Sequence, residues 1–137
     1  MIKLPHKYPM LFVNEHEILS ETEVTASYVV PESHPALEGH FPDVKIWPGV
    51  HLIEGMNQTA GLHAIYLAQE KGVDTGNYIA MVTTVNNAKF RAPVFPEAEL
   101  VYHATLVKSM GRHVVYDCVV KQNGQKVAQA TVGLTAR

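Results

Sequence analysis

The chain is poor in cysteine, in charge and in long apolar runs, and each shortage excludes something. A single cysteine, Cys118, stands among 137 residues. It permits no intrachain disulfide and no thiolate metal knuckle. It lies in the alternating run from Val114 to Val120, where a cysteine behaves as a small core hydrophobe. Charged residues make up 18% and the formal net charge is -2, so no basic field points to nucleic acid. No apolar stretch is long enough to cross a bilayer. The opening Met1-Ile2-Lys3-Leu4-Pro5-His6 lacks the charged-then-apolar pattern of a secretion leader, and a reducing, cytoplasmic setting is the expectation. Histidine, by contrast, is plentiful, with eight copies. The spacings of His34, His40 and His51 fit no ligand signature, so no metal is expected.

With 47% apolar residues the chain can build a real core, and its length suits one domain spanning 1–137. Strand-like pieces run from Met10 to Val13 and from Glu23 to Val30. Pro31 to Pro48 is a long irregular stretch, and long loops inside compact domains tend to be functional. A helix is expected over Val50 to Gln69, entered through Pro48-Gly49. Leu52, Ile53, Met56, Ala60, Ala64, Ile65, Leu67 and Ala68 give mostly helical spacing over much of its circumference, which predicts a buried helix. Gly55 and Gly61 cost helix stability but permit close approach of a sheet or a ligand. Strand patterns follow at Ile79 to Val85, Leu100 to Val107, His113 to Val120 and Val127 to Thr135. A turn is expected at Ser109-Met110-Gly111, and Asn123-Gly124 is a strong hairpin signal. The economical packing is α+β, a curved antiparallel sheet wrapped around one long central helix. Edge strands of such a sheet invite pairing, so a homodimer is expected.

The densest chemistry lies at Leu37-Glu38-Gly39-His40-Phe41-Pro42, Ile46-Trp47-Pro48-Gly49-Val50, Glu54 and Gln58. His40 precedes the helix and Glu54 lies about one turn into it. Gln58, at i+4, shares the face of Glu54 and can hydrogen-bond it. Gly49 stands where helix N–H groups are unpaired and suited to a developing oxyanion. These are parts for α-proton abstraction from a thioester: a base of near-neutral pKa, a carboxyl for the departing hydroxyl, and an oxyanion donor. Complete burial would raise the Glu54 pKa by up to about 3–5 units, more than the opposing helix dipole removes. An upward shift is expected if Glu54 is dry. From spacing alone, a satisfied core Glu–Gln pair and a loop-packing histidine remain open readings.

This segment closely resembles the FabZ family of 3-hydroxyacyl-ACP dehydratases, in Gly39-His40-Phe41-Pro42, Pro48-Gly49-Val50, Glu54 and Gln58. The similarity covers nearly the whole chain, from Leu4-Pro5-His6-Lys7-Tyr8-Pro9 through Asn87-Ala88-Lys89-Phe90-Arg91-Ala92-Pro93-Val94 to the end, Ala130-Thr131 through Ala136-Arg137. The resemblance implies a hot-dog fold and a dehydratase producing a trans-2-enoyl thioester. In it His40 is the general base, and Glu54 from the other subunit is the acid or water-positioner. Gly49 N–H is the oxyanion donor, Gln58 orients Glu54, and Val50, Phe41 and Trp47 line the substrate. No metal or organic cofactor is implied. Acyl carrier protein is the expected donor, and the resemblance implies a homodimer with shared active sites and leaves open whether three dimers join as a hexamer.

The chain departs from the family pattern at Lys45, Trp47, His51, Asn57, Thr84 and Asn14, none of them in the catalytic pair. Acyl-chain length and polarity, and primary fatty acid synthesis against a specialised pathway, stay open. Lys89 and Arg91 on one strand face suit an acidic carrier, or are equally two solvated charges. Tyr78 and Phe90 are candidates for an acyl tunnel or for plain core packing. His6 is expected to pack and hydrogen-bond, and His63, His103 and His113 to lie at the surface or an interface. The rival readings are a hot-dog thioesterase and a non-catalytic acyl-binding module.

Overall fold

A computed structural model describes residues 2–136. Met1 and Arg137, the last residue of the terminal resemblance, lie outside the described residues. Six strands and one long helix follow in the order β1 (Glu15–Ile18), β2 (Glu23–Val29), α1 (Gly49–Glu70), β3 (Ala80–Phe90), β4 (Glu99–Met110), β5 (His113–Gln122) and β6 (Gln125–Ala136). The strands form one antiparallel sheet in the order β1-β2-β4-β5-β6-β3. It wraps α1, as the expected α+β architecture requires.

The helix is buried because its apolar residues do not fall in one stripe. Leu52, Met56, Ala60, Leu62, Ala64, Ile65 and Ala68 are all buried, so no single face suffices to cover them. Gly55 makes the closest approach: a Cβ there would run into the phenol of Tyr102 on β4. Gly61 is roomier, since its Cβ would meet Leu4 and Ala80 only at ordinary contact distances of 3.8 and 3.9 Å.

Asn123 and Gly124 join β5 to β6, both at positive φ (51° and 82°), the backbone that a two-residue hairpin turn requires. The preceding hairpin turns one residue later than expected. Met110 still pairs with His113, and Gly111, at φ 61°, supplies the left-handed position. The long loop before the helix contains a short 3-10 turn, Pro35–Leu37, capped by the His34 side chain on the Ala36 N–H.

Three expectations need correction. Met10 to Val13 is no strand: the Phe12 N–H and the Met10 carbonyl are bonded by the Gln58 side-chain amide, not by a neighbouring strand. The first strand is instead the four-residue, polar Glu15–Ile18. β3 runs on to Phe90, past the expected end at Val85, because irregularities between Val82 and Thr84 and between Asn86 and Lys89 break its alternation. His63, expected near the surface, is fully buried. Its Nε2 lies 3.1 Å from the Ser20 carbonyl and its Nδ1 2.7 Å from the Tyr116 hydroxyl. His103 and His113 are half-buried.

β3 is the edge strand beyond β6 and stays exposed along almost its whole length. Met81, Val82, Val85 and Phe90 are each 40–49% exposed. An unpaired apolar edge is a template for another strand.

Candidate active site

His40 sits in the loop ahead of α1, cinched by its own backbone: the Ile46 N–H bonds the His40 carbonyl at 2.8 Å, and the Phe41 N–H bonds the Val44 carbonyl at 2.8 Å. Its Nδ1 lies 2.8 Å from the Ile46 carbonyl. A carbonyl only accepts, so Nδ1 carries the hydrogen and Nε2 keeps a lone pair. That is the tautomer a general base needs. Phe41 is half-exposed and stacks on the imidazole at 4.3 Å.

Gly49 opens α1. Pro48, the N-cap, has no side-chain acceptor, so the first-turn N–H groups have no side-chain cap. A Cβ here would sit 3.2 Å from the half-exposed Phe90 ring, a tight contact that the ring would have to relieve by shifting a few tenths of an ångström. His40, Ile46, Trp47, Gly49, Phe90 and Arg91 share one cavity of about 360 Å³. The exposed Arg91 at its rim donates to Gln129 at 3.1 Å. Lys89, also exposed, belongs to β3. Val50 is exposed on the first turn, whereas Trp47 is buried between Phe12, Tyr28, His34 and His51.

Glu54 lines a different cavity of about 300 Å³, with Leu4, His6, Asn57, Gln58, Ile79 and Val82 among its walls. Within one protomer, then, the two predicted catalytic residues do not share a site. Gln58 does orient Glu54, as its i+4 spacing predicts: its Nε2 donates to Glu54 Oε2 at 2.9 Å. Its Oε1 accepts from the Phe12 N–H and its Nε2 also reaches the Met10 carbonyl, so the whole amide is committed. A second partner was not legible from spacing. His6 Nε2 lies 3.3 Å from the same Oε2.

These partners reverse the expected shift. Burial raises the Glu54 pKa and is the largest single influence. Hydrogen bonds from His6 and Gln58, the charge of His6 and a hydrogen bond from Asn57 together outweigh it and hold the carboxyl below its ordinary value. Glu54 is thus an ionised acceptor at neutral pH, suited to hold a hydroxyl or a water rather than to donate a proton. His51, three residues earlier, is pushed down by burial and by His34 and His40, against the pull of Glu54.

Two further placements matter. Tyr78, a candidate for the acyl tunnel, lines neither cavity. It faces a larger one of about 410 Å³ with Lys71, Arg112, Val114 and Ala136, whose lining includes neither His40 nor Glu54. Cys118 is buried on β5 and burial pushes its thiol up to about 12, in keeping with a core role. Among the described residues no group of three or more His, Cys, Asp or Glu side chains converges on one point, and no helix is long and apolar enough to cross a membrane.

Known proteins share this sequence pattern and this fold. Residues 4–131 match the family model of the FabA-like domain. The 3-hydroxyacyl-[acyl-carrier-protein] dehydratase FabZ of Sinorhizobium fredii is 39% identical over 131 residues, 95% of this chain and 82% of that relative. The FabZ of Campylobacter lari is 38% identical over 128 residues, 93% of this chain and 87% of that relative. Among solved structures, the dehydratase heterocomplex ApeI:P from Xenorhabdus doucetiae superposes with a TM-score of 0.81 over 98% of this chain and 88% of that one, at 15% identity. A hypothetical thioesterase protein with coenzyme A from Streptococcus pneumoniae gives 0.66 over 90% and 86%, at 17% identity. These two likenesses establish the hot-dog fold shared by dehydratases and thioesterases, and the sequence matches go further: the chain belongs to the FabA-like family, on the side of its FabZ dehydratases.

Proposed function

We propose that this chain dehydrates a (3R)-3-hydroxyacyl thioester carried on acyl carrier protein to the trans-2-enoyl thioester, in the cytoplasm, as a homodimer whose active sites are shared. The observation that carries this reading is the position of β3. Its N-terminal end, Ala80 to Val82, borders the Glu54 cavity, and its C-terminal residue, Phe90, borders the His40 cavity. Antiparallel pairing of two such edges about a two-fold axis brings the His40 end of one protomer against the Glu54 end of its partner. The exposed apolar side chains of β3 support that pairing.

The chemistry then balances without an outside reactant. His40 Nε2 takes the proton from C2 while the thioester oxygen gains charge against the Gly49 N–H. The electron pair forms the C2–C3 double bond and the C3–O bond breaks. The C3 hydroxyl, its hydrogen held by the Glu54 carboxylate, takes the proton from the His40 imidazolium as the C3–O bond breaks and leaves as water. Glu54 remains a carboxylate throughout, consistent with its lowered pKa. Gln58 orients Glu54, Phe41, Val50 and Trp47 frame the substrate, and Lys89 and Arg91 meet the acidic carrier.

The test is incubation with a short 3-hydroxyacyl group on carrier protein, read by enoyl absorbance and by mass. The account expects loss of water, and a fall in kcat of roughly 10²-fold or more in His40→Ala and Glu54→Gln. Release of free thiol, or a normal rate in either variant, would contradict it.

A further inference from the structure

The segment ahead of β1 crosses α1 as a strap, fastened where Gln58 bonds both the Phe12 N–H and the Met10 carbonyl. A turn closed by the Met10 N–H on the Lys7 carbonyl at 2.8 Å shapes it. At its start Leu4 reaches the wall of the Glu54 cavity, and His6 brings Nε2 to within 3.3 Å of Glu54 Oε2. His6 and Glu54 side chains are each about a quarter exposed, at 27%. Gln58, 1% exposed, donates to that same Oε2. Two donors from different segments, the strap and α1, therefore meet at one oxygen, Oε2.

We propose that His6 is a positioning residue for Glu54: from the strap, its Nε2–H holds Oε2 jointly with the Gln58 amide and turns Oε1 toward the C3 hydroxyl of the substrate. The proposal rests on the role given to Glu54 above. Gln58 and Asn57 both reach the carboxyl from α1 itself, so without His6 no donor outside the helix holds it among the described residues. A charge-assisted hydrogen bond of this kind is stronger than a neutral one. His6 Nδ1 is buried without a partner, so the ring is anchored at the carboxylate end and its position depends on the strap. The titratable groups bearing on Glu54 are His6 from the strap and His51 from α1, with His40 acting on His51. Of these, His6 is the one whose ring reaches the carboxylate, at 3.3 Å.

Three variants separate position from polarity and from packing. His6→Gln sets an amide N–H at the reach of Nε2, His6→Asn is equally polar but too short, and His6→Leu fills space without a donor. The readouts are kcat and KM with the carrier-bound substrate, and titration of the Glu54 carboxyl by NMR in protein labelled at glutamate. Expected are a fall in kcat of roughly 10–100-fold in His6→Leu and His6→Asn, the range lost when the orienting partner of an active-site group is removed, with KM little changed. In both, the Glu54 titration moves upward, because burial is left with less to oppose it. His6→Gln keeps the rate and titration close to those of the parent. Equal rates and unmoved Glu54 titration in Leu and Asn variants would overturn the proposal, as would a Gln variant no better than Asn. If His6→Leu fails to fold, the Gln–Asn pair carries the same comparison. A dead Glu54→Gln beside a fully active His6→Asn would remove only the role of His6, whereas an active Glu54→Gln would remove the role of Glu54 itself.

Discussion

His63 shows how a single polar side chain is held inside a helix that is otherwise apolar. The Ser20 carbonyl can only accept, so Nε2 carries the hydrogen and Nδ1 accepts from the Tyr116 hydroxyl. In the neutral form both ring nitrogens and the phenol hydrogen are paired, whereas in the charged form Nδ1–H would take the phenol oxygen as acceptor and leave the phenol hydrogen without this partner. Burial, against the Ser20 contact, holds its pKa below the ordinary 6.5. A group whose pKa is lowered by folding gives stability that is present above the unfolded value and is lost as pH falls below it, because the unfolded chain then binds a proton that the folded chain refuses. His51 acts in the same direction. Urea unfolding of the parent at pH 7.5 and 5.5 therefore gives a lower stability at the acid pH, and His63→Leu gives a smaller difference between the two. Tyr116→Phe leaves Nδ1 without its donor and costs about 1–3 kcal/mol at pH 7.5. A Tyr116→Phe variant as stable as the parent would contradict this assignment. The partner of His63 lies 53 residues away on another element, which is why helical spacing alone gave no hint that this histidine is core.

The two interior glycines of α1 make opposite predictions. An alanine at either gains roughly 0.8–1 kcal/mol of helix propensity. At Gly55 the new Cβ collides with the Tyr102 ring, Tyr102 is itself fully buried, and overpacking of about 1–3 kcal/mol wins. At Gly61 the contacts are ordinary, so the propensity gain stands. Equilibrium unfolding should find Gly55→Ala destabilised by about 1 kcal/mol and Gly61→Ala stabilised by about 0.5–1 kcal/mol. The reverse order would contradict the packing described for α1. Most elements were legible because their apolar spacing follows the local backbone period: β2, α1, β4, β5 and β6 fall where the patterns of Val24, Leu52, Tyr102, Tyr116 and Val132 put them. Elements failed to declare themselves where something other than burial fixes the backbone. Residues 10–13 mimic a strand but are bonded by a side chain, β1 has almost no apolar face, and the bulges of β3 throw its alternation out of step.

At the scale of the whole molecule, the proposed catalytic pair was legible as a motif, whereas its placement in two cavities was not. Gly39-His40-Phe41-Pro42 and Glu54 identify the chemistry through their resemblance, and the i+4 partner Gln58 follows from helix geometry. His6 did not, because the strap that delivers it has no periodic pattern and meets Glu54 across 48 residues. Nor does any local signal tell that His40 and Glu54 open into separate cavities at the two ends of β3. Under the proposed function that separation makes one chain half of a site, which pairing along the exposed edge of β3 would complete. Mixing the inactive His40→Ala and Glu54→Gln proteins under conditions that exchange subunits tests this most directly. In a mixed dimer one site carries both substitutions and the other carries neither. Random exchange makes about half the dimers mixed, so activity should return to about one quarter of the parent's. A mixture that stays as inactive as its two components, with subunit exchange confirmed by mass, would contradict a site built from His40 of one protomer and Glu54 of its partner.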